Sequence, residues 1–121
     1  MPAIDLTSAN LESTINDNDF VLIDFWAPWC GPCQSFKPIF EAAADKHPEV
    51  VFAKVNTEVE QEIAAHFQIR SIPTLMLFRE QVILFSEAGA MQASDLERLI
   101  VEAGEIEMAE VHKVMAEEAA K

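Results

Sequence analysis

Glycine is scarce in this sequence, with 3 in 121 residues, and tyrosine does not occur. With half the residues hydrophobic, so little glycine excludes the fibrous and disordered classes. Basic residues are also few, 8 against 21 acidic ones, for a formal net charge of −13. A surface of that sign repels phosphate backbones and anionic membranes, so neither nucleic acid nor membrane is an expected partner. It keeps the chain soluble, or it steers toward a partner with a basic face. No apolar run approaches the length of a membrane span. The opening Met1-Pro2-Ala3-Ile4-Asp5-Leu6 lacks the basic-then-apolar order of a secretory signal. The length suits one domain built on a single core.

Cysteine is scarce too, but its placement is informative. The 2 cysteines fall in Trp29-Cys30-Gly31-Pro32-Cys33, after the apolar run Phe20-Val21-Leu22-Ile23-Asp24-Phe25-Trp26 and before a helix-like segment. A cysteine at a helix N-terminus faces free backbone N–H groups and the positive end of the helix dipole. Both favour thiolate, the nucleophilic form. Pro32 suits the first or second helical position, where its missing N–H costs nothing, and Gly31 lets the backbone turn tightly beside the sulfurs. Cys33, one turn on, can close a small ring with Cys30. A single close pair without a signal fits a redox-active couple in a reducing compartment, hence the cytoplasm. Half of a zinc site shared between chains is the competing reading; His47, His66 and His112 lack metal spacing.

Patterning orders the rest. A short helix is expected from residues 7–10 through Leu11 and Ile15, capped by Thr7 or Ser8. Residues 20–25 read as a strand buried on both faces, interrupted by Asp24. Residues 33–46 read as a helix with a kink at Pro38. A second buried strand over residues 50–55 carries Lys54. The next helix, residues 58–67, points Val59, Ile63, Ala64 and Phe67 inward. Pro73 opens a strand over residues 75–78, joined through Arg79-Glu80-Gln81 to a strand over 82–85. Gly89 ends that strand, Ser94 caps a helix over 95–102, and Gly104 stops it. The order implies an α/β domain with a mixed sheet flanked by helices on both faces. Beyond it, Met108, Val111, Met115 and Ala119 recur on one face of a helix. That extra C-terminal helix packs on its own domain or offers a dimer or docking contact.

Asp24-Phe25-Trp26-Ala27-Pro28-Trp29-Cys30-Gly31-Pro32-Cys33 resembles the active-site block of the thioredoxin family, and Pro38, Lys54, Ile72-Pro73-Thr74 and Gly89 fall where that family has its other markers. The resemblance spans residues 4–104, which sets a thioredoxin domain over 1–104 and a C-terminal extension over 105–121. Val55-Asn56-Thr57-Glu58 and Arg70-Ser71-Ile72-Pro73-Thr74 resemble the second bacterial type, here without its zinc-binding N-terminal extension, so zinc is not implied. The sequence departs from the family at Gln34, where Lys or Arg is common, and at Glu80-Gln81 in place of Asn-Gly, which makes a strained or reshaped hairpin turn the expectation.

The resemblance implies a thioredoxin fold and a protein-disulfide reductase cycling through a Cys30–Cys33 disulfide, with no bound cofactor and no metal. An exposed Cys30 would be the nucleophile and Cys33 the resolving thiol. Asp24 would carry the proton of Cys33, its pKa raised by apolar surroundings; a hydrogen-bonded structural carboxyl is the plainer role, and Lys54 is its candidate charge partner. Pro73 would be cis and face the disulfide, leaving the Ile72 backbone to pair with an extended client. Trp29, Ile72, Ala88, Gly89 and Ala90 would form a shallow apolar patch, with Trp26 largely core. Partners implied are disulfide-containing client proteins and a flavin-dependent thioredoxin reductase drawing on NADPH. The chain would be a monomer or a weak dimer through its last helix. A redox-assisted client-binding or docking module is the alternative.

Overall fold

The computed structural model describes residues 2–121. Its elements run β1 (Ile4–Asp5), α1 (Leu11–Asn16), β2 (Phe20–Trp26), α2 (Gly31–Lys46), β3 (Val51–Asn56), α3 (Gln61–His66), β4 (Thr74–Arg79), β5 (Val82–Ala88), α4 (Ala93–Glu105) and α5 (Met108–Ala119). The sheet order is β1-β3-β2-β4-β5. β1, β3 and β2 are parallel, while β4 runs antiparallel to both β2 and β5. This is the expected mixed sheet, with one more strand: the two-residue β1, too short to carry a periodic signal.

Side chains alternate across the sheet and build two cores. Leu22, Phe52, Leu75 and Leu77 meet Phe36 and Phe40 of α2 and Leu96 and Ile100 of α4. On the opposite face Val21, Ile23, Phe25, Val55 and Met76 meet Ile63 of α3, with Leu11 and Ile15 of α1 packed against them. A register shift in the β4–β5 pairing lies between Leu77 and Phe78. Such a bulge lets consecutive residues share a side, and Leu84 and Phe85 of β5 both pack on the α2/α4 core.

Several element ends differ from expectation. Neither Thr7 nor Ser8 caps α1; the Thr7 hydroxyl accepts from the Ala9 N–H instead, and Asn10 Oδ1 accepts from the Thr7 N–H at 2.7 Å, which spends both side chains on the preceding turn. Val59 is 70% exposed rather than inward, because residues 57–60 form a turn and α3 begins only at Gln61. Ser94 lies inside α4 rather than capping it. Gly104 does not stop α4: the helix runs on to Glu105, and a Cβ at Gly104 would stand 3.6 Å from the Phe20 ring. α2 continues through Pro38 without ending.

His47, at the C-cap of α2, joins that helix to α4. One ring nitrogen lies 3.0 Å from Glu49 and the other 2.8 Å from Glu97. Two ionised carboxylates accept only, so both contacts are hydrogen bonds only when the ring is the doubly protonated imidazolium. Burial alone would lower its pKa, yet the bonds to Glu97 and Glu49 outweigh that and raise it above the ordinary value. The stabilisation is therefore complete below the ordinary histidine range and lost as pH rises through the folded-state value. The stability gap between the native chain and a His47→Gln variant, measured by urea unfolding, is expected to be wider at pH 5.5 than at pH 9; an equal gap would assign His47 to packing alone.

Glu80 and Gln81 form the two-residue hairpin turn with φ of 49° and 67°, both in the left-handed region. That conformation is disfavoured for residues with a Cβ. Gln81→Gly is expected to raise the melting midpoint by a few degrees, a gain of up to about 1 kcal/mol. An unchanged or lower midpoint would mean that the Gln81 amide bond to the Asn16 carbonyl outweighs the backbone cost.

Candidate active site

β2 ends at Trp26, and its last carbonyl is held by the Thr57 N–H at 2.8 Å and the Thr57 hydroxyl at 3.0 Å. From this anchored end residues 27–30 turn back, closed by the Cys30 N–H on the Ala27 carbonyl at 3.2 Å. Cys30 then stands at the N-cap of α2, with Gly31 and Pro32 as the first helical residues. Cys30 and Cys33 are joined in a disulfide with Cα atoms 5.2 Å apart. The Cys33 N–H points at Cys30 Sγ from 3.2 Å, so a free helix-terminal donor is aimed where thiolate charge develops on reduction.

The expectation of an exposed Cys30 is corrected: it is 5% exposed, nearly as covered as Cys33 at 3%. Ala27, Trp26 and Ile72 pack around both sulfurs. The Ile72 carbonyl lies 3.8 Å from Cys30 Sγ, a contact that becomes a hydrogen bond only when the sulfur carries a proton. The Ile72–Pro73 peptide is cis, as expected. The Gly89 N–H donates to the Pro73 carbonyl at 2.8 Å, tying the end of β5 to this loop, and Gly89 has φ 111°, where a side chain would be strained. Gly89 and Ala90 are exposed beside it. Trp29 is 71% exposed, a surface residue, whereas Trp26 is half-buried against the disulfide.

Asp24 sits mid-strand on the α2 side of β2, 4% exposed. Register sets it opposite Lys54 on β3 and Leu75 on β4. Burial raises its pKa from 3.8 to about 7, and the Lys54 charge opposes only part of that rise. Lys54 itself is half-buried, with Nζ 4.0 Å from Asp5 and 6.0 Å from the centre of the Trp26 ring. A cavity of about 30 Å³ is lined by Asp24, Trp26, Cys33, Gln34, Lys37 and Lys54, room enough for a water molecule. Among the described residues, Asp24 Oδ1 and Trp26 Nε1 are the buried side-chain polar atoms without a partner, and both residues line this cavity.

Sequence reading missed Thr57 and Lys37 at the site and named Gln34 only as a departure from the family. Lys37 stands four positions after Cys33, so helical spacing alone could have placed it beside that sulfur. Among the described residues no group of three or more His, Cys, Asp or Glu side chains is set to hold a metal ion.

A sequence model described as Thioredoxin matches residues 2–102. The chain belongs to the thioredoxin family. A Streptomyces coelicolor protein described as a thioredoxin 2 is 49% identical over 118 residues, covering 98% of this chain and 88% of its own. The thioredoxin of Porphyra purpurea is 40% identical over 99 residues, covering 80% and 92%. Among solved structures, a single-site mutant of a thioredoxin from Halobacterium salinarum superposes with a TM-score of 0.80 at 32% identity, covering 88% of this chain and 93% of its own. Oxidised mitochondrial thioredoxin 3 of Saccharomyces cerevisiae gives 0.76 at 29% identity, covering 83% and 94%.

As a thioredoxin-family protein the chain is a thiol-disulfide oxidoreductase that reduces protein disulfides through the Cys30–Cys33 couple. The helix α5 lies beyond the residues that the family's sequence model matches, while the Streptomyces coelicolor relative aligns over 98% of this chain. No helix among the described residues is long and apolar enough to cross a membrane.

The raised Asp24 pKa has a consequence for stability. Between pH 3.8 and about 7 the unfolded chain ionises this carboxyl while the folded chain keeps it neutral, so folding is penalised increasingly across that window. The penalty levels off above it at about 4 kcal/mol. Asp24→Asn is expected to be more stable than the native chain at pH 8 by a sizeable part of that amount, and nearly equal at pH 4, by urea denaturation. A gap independent of pH would remove the ionisation as its cause.

Proposed function

We propose that Cys30 is the attacking sulfur, Cys33 the resolving one and Asp24 the group that takes the Cys33 proton. Cys30 thiolate attacks one sulfur of a client disulfide, forms a mixed disulfide and expels the first client thiolate. Cys33, giving its proton to Asp24, then attacks Cys30 Sγ and expels the second. The client gains two electrons and the chain closes its Cys30–Cys33 bond. The observation that carries this assignment is the Cys33 N–H aimed at Cys30 Sγ from the first turn of α2, because it distinguishes the two sulfurs by their ability to hold negative charge. A carboxyl with a pKa of about 7 beside Cys33 can both accept and return a proton near neutral pH.

Trp29, Ile72, Pro73, Gly89 and Ala90 serve as the client surface in this reading. An extended client segment lies along Ile72 in the manner of strand addition, and the exposed Trp29 supplies an apolar contact. Trp26, Gly31, Pro32 and Lys54 support the site. Reducing equivalents come from NADPH through a flavin-dependent thioredoxin reductase, which suits a cytoplasmic setting. Residues 1–104 are the catalytic domain and 105–121 an extension. The first turns of α5 are anchored by buried Met108 and by His112 Nε2 at 2.9 Å from Glu80, while Val114 and Met115 stay half exposed. That short face is small beside the area a stable dimer buries, so self-association through it would be weak. A docking module without turnover is not favoured, since the closed disulfide at a helix start is itself the working feature.

The test is insulin reduction driven by NADPH and a thioredoxin reductase. Cys30→Ser is expected to abolish turnover, and Cys33→Ser to accumulate a mixed disulfide with the client on Cys30. Turnover that survives Cys30→Ser, or trapping on Cys33 in place of Cys30, would overturn the assignment.

A further inference from the structure

Gln34 follows Cys33 in the first turn of α2, and its exposed side chain reaches back over the helix start. Its Nε2 donates to the Pro28 carbonyl at 3.2 Å. Pro28 lies in the turn that carries Trp29 and Cys30. The other contacts fastening this turn are backbone N–H donors: Cys30 N–H on the Ala27 carbonyl, Gln34 N–H on the Cys30 carbonyl, and Cys33 N–H on Cys30 Sγ, each at 3.2 Å. The Gln34 amide is thus the side chain that ties the segment bearing one sulfur to the helix bearing the other.

We propose that Gln34 is a positioning residue for thiol-disulfide exchange: its amide holds the Pro28 carbonyl against α2 and keeps the two sulfurs adjacent while the bond between them is open. This rests on the reading of Cys30 and Cys33 given above. In the disulfide the covalent bond keeps residues 30 and 33 together whatever Gln34 does. In the dithiol, and in the mixed disulfide on Cys30, that bond is gone and the turn relies on hydrogen bonds. Resolution is an intramolecular displacement, and its rate and equilibrium depend on how often Cys33 stands in line with Cys30 Sγ. The closed state makes the Gln34–Pro28 bond throughout and the looser open states only part of the time, so removing it costs the closed state more and favours the dithiol. A neutral amide does this without placing a charge at the mouth of the cavity it shares with Asp24 and Cys33. Lys54 is then the cation whose charge reaches Asp24.

The experiment equilibrates the full chain against reduced and oxidised glutathione at pH 7, with the dithiol and disulfide fractions read by alkylation. Gln34→Met keeps the length of the side chain and removes the donor. It is expected to shift the equilibrium toward dithiol by about three- to fivefold, the range of one net hydrogen bond or less. Gln34→Lys restores a donor within reach of the same carbonyl and is expected to return the equilibrium to within about twofold of native. Its ammonium would lower the pH midpoint of Cys30 alkylation, which separates charge from tether. By the thermodynamic cycle, oxidised Gln34→Met is expected to lose more unfolding free energy than its reduced form, by the amount of that shift, while both forms of Gln34→Lys stay close to native. An unchanged equilibrium in Gln34→Met, an equal displacement in both variants, or an equal loss of unfolding free energy in oxidised and reduced Gln34→Met would overturn the inference. A native chain that does not exchange with glutathione would overturn the assignment of Cys30 and Cys33 as well.

Discussion

Strand β2 has a hydrogen-bonded neighbour on each edge and packed helices on each face. Val21, Leu22, Ile23 and Phe25 are all fully buried as a result. Such a strand has no freedom to shift register, because a one-residue slip would carry every side chain to the opposite core. Its C-terminal end is therefore a fixed point, fastened further by Thr57. The turn over residues 27–30 and the start of α2 inherit that rigidity. The disulfide sits where a well-anchored strand hands over to a helix terminus, and each structure contributes separately: the strand supplies position, the helix start supplies donors for negative sulfur.

The same burial accounts for the acid. A carboxyl in the middle of β2 loses its hydration, and Lys54 on the adjacent strand restores only part of what water would provide. A chain selected for stability alone would place an apolar residue there. Keeping Asp24 costs folding free energy at neutral pH and yields a carboxyl whose pKa lies at about 7, in the cavity it shares with Cys33. In the proposed mechanism this is a stability–activity compromise, confined to one residue and one cavity. Elsewhere two carboxylates meet His47 at the far end of α2, and the one on α4, Glu97, ties the two helices together.

The helix α5 and the β4–β5 turn belong together at the edge of the fold. Glu80 holds an unfavourable backbone conformation while its carboxylate meets both Arg79, at 3.9 Å, and His112, at 2.9 Å. A turn of Asn-Gly would relax the backbone and give up that carboxylate. The departure from the family at Glu80-Gln81 thus coincides with the place where the extension touches the domain.

Much of this was written in local pattern. The apolar run of β2, the Cys-Gly-Pro-Cys spacing, the helix after it and the breaker residues around Pro73 and Gly89 announce their structures because each depends on neighbours within a few positions. What local pattern could not reach was decided by packing between distant segments. The pairing of Ile4 with Ala53 makes a strand of two residues with no periodicity of their own. Val59 looked like a helix face but falls in a turn. Gly104 looked like a stop but lies inside a helix, against Phe20. Cys30 looked exposed until Ile72, forty-two positions away, closed over it. The sequence by itself determined that two sulfurs would share a helix start and that an acid would interrupt the apolar strand before it, since spacing and hydrophobicity are local. Only the tertiary structure decided how deeply those groups are covered and which carbonyls and cations face them, because burial and electric field are set by chains that arrive from elsewhere in the fold.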